Sequence, residues 1–378
     1  MTSGTFELDS QGRRLFRPNV PSFPPLEDVI GQLEPATVAL REFDRRLSAF
    51  DRTGAIGRLF ARLDAVHSSG AEGSTTTFTD LMEYESALQV APDLDDAAVV
   101  AAAATGLEER LDKGDMKGLI LRIHGRLFER NPNAMLAASA GKIKTTPNYV
   151  RDPDAPNSLF GYTAPSAVEA SLADWTSFTL ATEDGTSELV RQVLSHWMVE
   201  HIHPVADGNG RIGRLLVPIV LRAKGFTTNA CAFFGEAVHE DKLLYIEALK
   251  DVRTSGKSAS YVRQMLSFLR RTADANIARL DKLEAIEAEW KSRFASVRRN
   301  SVIHRLYPYA ITKPVFTVGE AQKELGVSFA AANTAASALV DAGILSVPED
   351  SRRNRLFRAD AVLDVFDRFK GLNSQTRS

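Results

Sequence analysis

The sequence of 378 residues has little of what marks an exported or membrane-embedded protein. It contains one cysteine, Cys231, so no disulfide can form within the chain. Its longest apolar run, 97–104, is much shorter than the roughly 20 residues that a membrane helix needs. Residues 1–16 are polar and lack the apolar core of a signal peptide. We therefore expect a cytoplasmic protein without a membrane segment, in which Cys231 is buried as a small apolar residue.

The chain also lacks an excess of charge of one sign. It has 46 Lys and Arg residues against 48 Asp and Glu residues, which gives a formal net charge of −2. This balance excludes a global field that would draw the whole chain to nucleic acid or to an anionic membrane. A site for a polyanion must therefore be local. With 44% hydrophobic and 25% charged residues, the composition is that of a globular protein, and the length predicts two or three structural units.

Apolar residues recur at steps of three and four along most of the chain, which predicts a mainly α-helical fold. Residues 1–25 contain four prolines and are expected to form an extended arm. The first helix is expected to begin at Pro35, and an alanine-rich helix is predicted over 95–109. A further helix is predicted over 260–280, and a charged amphipathic helix over 280–299 is predicted to bridge two bodies.

One short β-hairpin interrupts the predicted helices. Residues 141–150 alternate and include β-branched side chains, which favours a strand or hairpin. Residues 152–165 contain three prolines together with glycine and asparagine, and are expected to form a loop. This hairpin is the principal β-structure expected before the C-terminal part of the chain.

The C-terminal part has the pattern of a winged-helix module. Helices are predicted at 318–325 and 329–342, followed by strands at 344–347 and 354–357. Residues 301–378 carry ten basic and eight acidic residues, a formal charge of +2, and the second helix has no Lys or Arg. Protein docking or dimerisation is therefore favoured over DNA binding. Contact with a DNA backbone would depend on the arginines of the wing, namely Arg352, Arg353, Arg355 and Arg358.

The segment 203–214 has the residues of a phosphate site. Gly208 and Gly210 flank Asn209 where one helix ends and another is predicted to begin. Glycine lets the backbone approach an anion closely, and a helix N-terminus directs N–H groups and a positive dipole end to the same place. The segment therefore predicts a cradle for two or three phosphates.

Charged side chains complete this segment. Arg211 and Arg214 lie three residues apart and project from one helical face beside the cradle. Asp207 is placed to hold Mg²⁺ between phosphate oxygens, because this metal takes few carboxylates and keeps its waters. His203 can act as a general base at neutral pH. Taken singly, each element also fits a helix start, a cap or a solvated face, but their conjunction favours a nucleotide site.

The segment resembles the signature of the Fic family, HxFx(D/E)GNGRxxR. It matches every fixed position except 205, where valine stands in place of the usual phenylalanine. The resemblance implies a Fic-type helical bundle that transfers AMP from ATP to a hydroxyl of a protein target. It implies that His203 is the base and Asp207 the Mg²⁺ ligand. The implied nucleotide-binding residues are Gly208, Asn209, Gly210, Arg211 and Arg214, and glycine at 210 implies AMP transfer where related kinases have lysine.

A second segment resembles the inhibitory motif of the same family, (S/T)xxxE(G/N). It runs from Ser68 through Glu72 to Gly73, ahead of the main motif. The resemblance implies that Glu72 pairs with Arg214 and displaces the γ-phosphate of ATP. The alternative is a helix end at which Gly73 is only the C-terminal cap.

Two further assignments depend on the same resemblance. The hairpin at 141–150 occupies the place of the family's flap, which implies that a target segment docks on its edge. The flap residues are Lys142, Ile143, Lys144 and Thr145. Tyr245 lies where family members often have a tyrosine near the adenine. The alternatives are an ordinary surface hairpin and a tyrosine packed in the core.

The expected organisation has four parts. An N-terminal helical region with the inhibitory motif spans 1–110, and a catalytic core spans 111–270. A linker helix covers 271–300, and the winged-helix domain covers 301–378. Two other functions stay open, which are removal of AMP from a modified protein and nucleotide sensing by a winged-helix regulator without catalysis. A different nucleotide donor or a phosphocholine donor is a minor variant.

Overall fold

The computed structural model describes residues 3–51, 53–87, 105–129, 131, 133–152, 155–182, 185–348 and 355–367. These ranges are mainly helical, as predicted. The helices of the first half are α1 (Ile30–Phe50), α2 (Ala55–Gly70), α3 (Phe78–Ala87), α4 (Met116–Phe128), α5 (Ala134–Ser139), α6 (Pro165–Leu180) and α7 (Glu188–Ile202). Those of the second half are α8 (Asn209–Ala223), α9 (Gly235–Glu240), α10 (Lys242–Ser255), α11 (Ala259–Arg293), α12 (Ile303–Thr312), α13 (Val318–Leu325), α14 (Phe329–Asp341) and α15 (Asp360–Phe366). The strands are β1 (Gly4–Leu8), β2 (Arg14–Pro18), β3 (Tyr149–Asp152), β4 (Ala155–Gly161), β5 (Val315–Thr317) and β6 (Leu356–Arg358).

The N-terminal arm is a β-hairpin. The prediction of an extended arm without helix is correct, but it missed that β1 and β2 pair with each other in antiparallel fashion around a turn at Gly12. β2 also pairs in parallel with β4, through Leu15 and Gly161, in a sheet of order β1-β2-β4-β3. The partner strand is far away in the sequence, so the local pattern of residues 1–25 could not reveal it.

The hairpin predicted at 141–150 lies further along the chain. β3 and β4 pair in antiparallel fashion, with Val150 opposite Phe160. The prediction of a loop over 152–165 is therefore wrong for Ala155–Gly161. Residues 141–148 are irregular, because the backbone N–H of Lys144 donates to the carbonyl of Pro204 at 3.0 Å and Pro147 has no N–H to donate. Lys142, Ile143, Lys144 and Thr145 thus precede the hairpin.

The centre of the helical body is α7, which leads into the predicted phosphate site. Every residue from Leu189 to Ile202 is buried, as expected of a helix that neighbours surround. Trp175 of α6 donates its indole N–H to the carbonyl of Ser195 in this helix at 3.0 Å. Cys231 is 1% exposed, which confirms its predicted burial.

The long helix α11 is continuous from Ala259 to Arg293. The predicted helix break at 280 and the predicted domain boundary at 270 both lie inside it. α1 packs along α11, and Arg46 pairs with Asp281 at 2.6 Å. α1 begins at Ile30, so Pro35 lies inside it and not in its first turn. This is tolerated because Gly31, whose carbonyl loses its helical donor, is exposed to solvent.

The C-terminal helices follow the prediction closely. Thr317 and Glu320 form a capping box that starts α13, and Ser328 caps α14. The strand predicted at 344–347 is reduced to one bridge between Ser346 and Arg358. β6 instead pairs with β5, a strand that was not predicted. Residues 349–354 of the predicted wing, and 95–104 of the alanine-rich helix, lie outside the described residues.

The C-terminal helix α15 packs against the N-terminal helices. Phe366 lies between Phe60 of α2 and Phe78 of α3, with ring centroids 5.5 Å and 4.6 Å away. Arg358 pairs with Glu83 of α3 at 2.8 Å. This guanidinium group, predicted as a candidate for DNA contact, is therefore paired with a carboxylate of the same chain. Arg352 and Arg353 lie outside the described residues.

Replacement of Phe366 by alanine is expected to destabilise the protein by about 3–5 kcal/mol, because it removes a buried ring from between two others. Phe366 is 1% exposed. The measurement is chemical denaturation followed by circular dichroism. Phe329→Ala is the matched control, since this ring is 57% exposed and its loss should leave the midpoint unchanged. Equal effects of both substitutions would contradict the role of Phe366 in packing α15 against α2 and α3.

Candidate active site

His203 stands at the C-terminal end of α7 in a left-handed conformation, with φ of 51°. Its backbone N–H donates to the carbonyl of Val199 at 2.9 Å, which ends the helix. The imidazole Nδ1 lies 3.1 Å from the carbonyl oxygen of Glu200. Because a carbonyl only accepts, Nδ1 must carry the proton in this contact. The lone pair of the neutral ring is then on Nε2, which is the atom able to take a proton from a substrate.

The surroundings of the half-buried His203 ring favour its neutral form. Burial lowers the pKa of His203 to about 3, and the positive charge of Lys144 acts in the same direction. The ring of Tyr162 stacks on the imidazole, with centroids 3.8 Å apart and planes 7° apart. The base is therefore unprotonated at neutral pH without help from a neighbouring carboxylate.

Lys144, Asn148 and Thr163 hold the backbone around His203 in place by donating hydrogen bonds to its carbonyl groups. Lys144 is buried, and burial lowers its pKa to about 7. The hydrogen bonds join Lys144 N to Pro204 O (3.0 Å), Lys144 Nζ to Ile202 O (3.5 Å), Asn148 Nδ2 to Ala206 O (2.8 Å) and Thr163 Oγ1 to His201 O (3.2 Å). The segment that precedes β3 and the residues that follow β4 thus fix the loop that carries the histidine.

Asn209 braces the loop from the inside. Its Oδ1 accepts from the N–H of Val205 at 3.0 Å, and its Nδ2 donates to the carbonyl of Val205 at 2.9 Å. The side chain predicted as part of the anion cradle therefore closes the loop 205–209, and only its backbone N–H lies at the helix entrance. Val205 is fully buried, so valine anchors the loop at the position where the family signature has phenylalanine.

The two glycines of the motif have different surroundings, and only Gly208 requires glycine. Gly208 has φ of +78°, and a Cβ there would lie 2.8 Å from the ring of Phe128. A Cβ at Gly210 would overlap Oε1 of Glu72. The carboxylate of Glu72 therefore lies directly over the first turn of α8, where backbone N–H groups and the helix dipole favour an anion.

Arg214 joins the segment 68–73, which resembles the inhibitory motif, to α8. Its Nη2 donates to Oε1 of Glu72 at 2.7 Å and to the carbonyl of Ser68 at 2.9 Å, and its Nε donates to Oγ of Ser68 at 2.7 Å. Burial raises the pKa of Glu72, but the charge and hydrogen bond of Arg214, together with the charges of Arg211 and Lys242, outweigh burial, and the net shift is downward. Glu72 is thus ionised beside a guanidinium group that is 2% exposed. Gly73 has φ of +103°, in the left-handed region expected of a C-terminal cap.

Asp207 and Arg211 lie at the open side of the loop. The side chain of Asp207 is 51% exposed, and its Oδ1 accepts from the N–H of Gly208 at 2.7 Å. Its Oδ2 is 3.9 Å from Nη2 of Arg211. Within the described ranges, no group of three or more His, Cys, Asp or Glu side chains is arranged to hold a metal ion. A cation at Asp207 would therefore need most of its ligands from a bound phosphate and from water.

Comparison with known proteins agrees with this geometry. Residues 116–221, which include α4, the hairpin and the whole loop from His203 to Arg214, match the family model of the Fic/DOC family. This segment is a Fic/DOC domain. It lies within the catalytic core predicted at 111–270.

Two curated relatives of the Fic-containing chain carry the name protein adenylyltransferase. A probable protein adenylyltransferase of Aquifex aeolicus is 28% identical over 168 residues, which is 44% of this chain and 46% of the relative. The protein adenylyltransferase Fic of Nematostella vectensis is 27% identical over 161 residues, or 42% of this chain and 33% of the relative. The chain thus spans less than half the length of these relatives.

A solved structure shows the same fold over most of the chain. The crystal structure of a Fic family protein from Desulfovibrio desulfuricans matches with a TM-score of 0.56 and 17% identity. The match covers 90% of this chain and 98% of that one. It supports the Fic fold and carries no information on activity. No helix in the described part of this chain is long and apolar enough to cross a membrane.

Tyr245 lies in α10, beyond the matched segment, and is packed in the core. The ring is 5% exposed, and its hydroxyl lies 2.9 Å from Nε2 of His196. The hydroxyl is thus paired inside the core. The proposed contact of Tyr245 with adenine stays a prediction.

Three residues near His203 were not singled out from the sequence. Tyr162 and Asn148 come from a segment without a recognisable motif. Glu200 is buried one helical turn before His203, and burial raises its pKa to about 7. Its spacing of three residues from His203 could have indicated that both lie on one face of α7.

Proposed function

We propose that this chain is a protein adenylyltransferase that moves AMP from ATP to a hydroxyl side chain of a target protein, and that Glu72 holds its activity low. The observation that carries the proposal is the position of the Glu72 carboxylate. It lies over Gly210 and on Arg214, where a helix N-terminus and a buried guanidinium group favour a phosphate. An internal carboxylate thus occupies an anion site next to a neutral imidazole.

In this reaction the target hydroxyl oxygen attacks the α-phosphorus of ATP. The bond from the α-phosphorus to the bridging oxygen of the β-phosphate breaks, and pyrophosphate leaves. The hydroxyl proton passes to Nε2 of His203, whose Nδ1 is tied to the carbonyl of Glu200. The first turn of α8, with Arg211 and Arg214, binds the leaving phosphates, which gain charge as the bond breaks.

Asp207 is the residue that would hold Mg²⁺. Its carboxylate is single, exposed and next to the helix entrance, which fits a metal that takes one or two carboxylates and otherwise binds phosphates and water. Bound Mg²⁺ supplies positive charge to the phosphates of ATP. Arg211 lies on the other side of the same carboxylate and keeps it oriented towards the loop.

Inhibition follows from competition for Arg214. While Glu72 is ionised on this guanidinium group, a γ-phosphate at the same place meets a negative charge and loses its partner. ATP can then bind only in a pose in which the α-phosphorus is not held against His203. Ser68 contributes by fixing the guanidinium group through Nε, so that Nη2 faces Glu72.

The target is proposed to dock on the edge of the sheet. β3 is at one end of the strand order, so one of its sides is available for pairing with an extended segment. The loop that carries His203 is tied to the chain just before β3 through Asn148 and Lys144. A target strand on this edge would therefore be in register with the histidine. Residues 301–367 are proposed to be a winged-helix module used for protein docking or dimerisation.

The proposed reaction is tested with ATP labelled at different phosphates. The Glu72→Gly protein, incubated with Mg²⁺ and a cell extract, is expected to attach label from the α-position to protein, and to add none from the γ-position beyond what the extract attaches by itself. The reason is that the α-phosphorus stays with AMP while the γ-phosphate leaves in pyrophosphate. Additional label from the γ-position would show phosphate transfer by the protein. Nucleotide-dependent DNA binding without any label on protein would favour a regulator that only senses the nucleotide.

A further inference from the structure

We infer that Tyr162 is a positioning residue for His203, which fixes the plane of the imidazole so that Nε2 faces the reacting hydroxyl. The inference rests on the proposed function and adds a residue that the motif does not contain. Its basis is the parallel stack of the two rings, with centroids 3.8 Å apart and planes 7° apart.

The ring of a histidine can rotate about the bond that joins it to Cβ, either by a small swing of its plane or by a half turn. Separate contacts restrict these two motions in His203. The plane of the ring can swing, because the terminal torsion of an aromatic side chain has a broad minimum. The ring can also turn over by a half rotation, which exchanges the places of its two nitrogens. The contact between Nδ1 and the carbonyl of Glu200 selects one of the two ring orientations that differ by this half turn. It does not fix the plane, and the stack with Tyr162 does.

Tyr162 is itself held in place from both sides of the hairpin. Its N–H donates to the carbonyl of Asn148 at 3.1 Å, which closes the base of the β3–β4 hairpin. Its ring meets that of Phe160 edge-on at 5.3 Å. The next residue, Thr163, donates to the carbonyl of His201 at 3.2 Å. The tyrosine ring thus has a fixed position relative to the backbone that carries His203.

The stack also bears on the charge of the imidazole. It covers one face of the ring and so keeps water from it, while Lys144 opposes protonation from nearby. His201 acts in the same direction as Lys144, whereas the backbone carbonyl of Glu200, through its hydrogen bond, and the charge of Glu72 raise the pKa of His203. Loss of the ring of Tyr162 would let water reach His203 and raise its pKa towards the usual value.

The test compares Tyr162→Phe with Tyr162→Leu, each in the Glu72→Gly protein. Phenylalanine keeps the stack and should retain kcat within about twofold, whereas leucine should lower kcat by about 10-fold to 100-fold through misplacement of the base. The KM for ATP should stay the same in both, because the phosphate site is intact. With leucine, activity should also begin to fall as the pH drops through about 6.5, where a solvated histidine takes up its proton.

Tyr309→Leu is the matched control. This half-buried tyrosine packs on Phe316 in the C-terminal part, so its loss removes a similar ring without touching the site. Its kcat should equal that of the Glu72→Gly protein. The inference is overturned if leucine and phenylalanine at 162 give the same kcat and pH profile, or if leucine changes only the KM for ATP.

A measurement that needs no turnover separates this inference from the proposed function. The ¹⁵N chemical shifts of the His203 ring report which nitrogen carries the proton. Followed against pH, the shifts should show a ring that stays neutral, with its proton on Nδ1, when residue 162 is tyrosine or phenylalanine, and a ring that takes up a second proton as the pH falls through about 6.5 when it is leucine. If the Glu72→Gly protein transfers no AMP, the proposed function fails, whereas unchanged shifts in Tyr162→Leu refute the role of the stack.

Discussion

Replacement of His203 by alanine in the Glu72→Gly protein is expected to lower the rate of AMP transfer by about 10²- to 10⁴-fold, the usual contribution of a positioned general base. The physical reason is that the neutral Nε2 atom is the proton acceptor for the target hydroxyl, while Nδ1 is occupied by the carbonyl of Glu200. The measurement is incorporation of label from α-labelled ATP. Calorimetry should show that ATP still binds, because α8 and Arg214 are unchanged.

The control for this substitution is His304→Ala. His304 lies in α12 and contacts the carbonyl of Val297 through Nε2, far in the fold from α7 and α8. Its loss should leave AMP transfer unchanged. If His203→Ala kept the full rate, the hydroxyl proton would have to go elsewhere, and the assignment of the base would be wrong.

The Glu72→Gly substitution alone is expected to raise AMP transfer on the order of 10-fold to 100-fold, the range of a typical coupling between two sites. The change removes the carboxylate from Arg214 and from the first turn of α8, so that the γ-phosphate can take its place. The expected increase should appear in kcat/KM for ATP and in the affinity for ATP measured by calorimetry.

Glu72→Gln gives a graded version of the same experiment. The amide oxygen can still accept from Arg214 but carries no charge, so both the attraction to Arg214 and the repulsion of phosphate weaken. We expect a rate between those of the original protein and of Glu72→Gly. A glutamine variant that is as active as the glycine variant would assign the inhibition to charge. If neither variant gained activity, Glu72 would be only a structural partner of Arg214.

The site was predictable from the sequence where its parts are local. Gly208, Gly210 and the start of α8 follow from neighbouring residues, because a helix entrance and a left-handed turn are set within a few positions. The pair of Glu72 and Arg214 joins residues 142 positions apart, and only the resemblance to an inhibitory motif brought it forward. The stack of Tyr162 on His203 has no such motif, and nothing in the sequence indicated it.

The errors in the fold have related causes. The alternation in 141–150 favoured a strand, but the hydrogen bonds of Lys144 are made with the loop at Pro204 instead of with a ladder. The prolines in 152–165 favoured a loop, although β4 contains one of them, Pro156, and is paired with β3 and with β2. Asn209 was assigned to an anion by its place in the motif, whereas its side chain serves the loop. A distant partner decided the outcome in the first two cases, and a partner four residues away decided it for Asn209.

The N-terminal hairpin has a consequence for any shortened form of this protein. Phe16 of β2 is fully buried, and its ring meets those of Trp197 and His201 on the helix that ends at His203, at 6.5 Å and 5.5 Å. β2 also supplies the second neighbour of β4. A version that began at α1 would leave this aromatic face open to water and turn an interior strand into an edge. Residues 4–18 therefore belong to the scaffold of the candidate site and should be kept intact in every variant that is assayed.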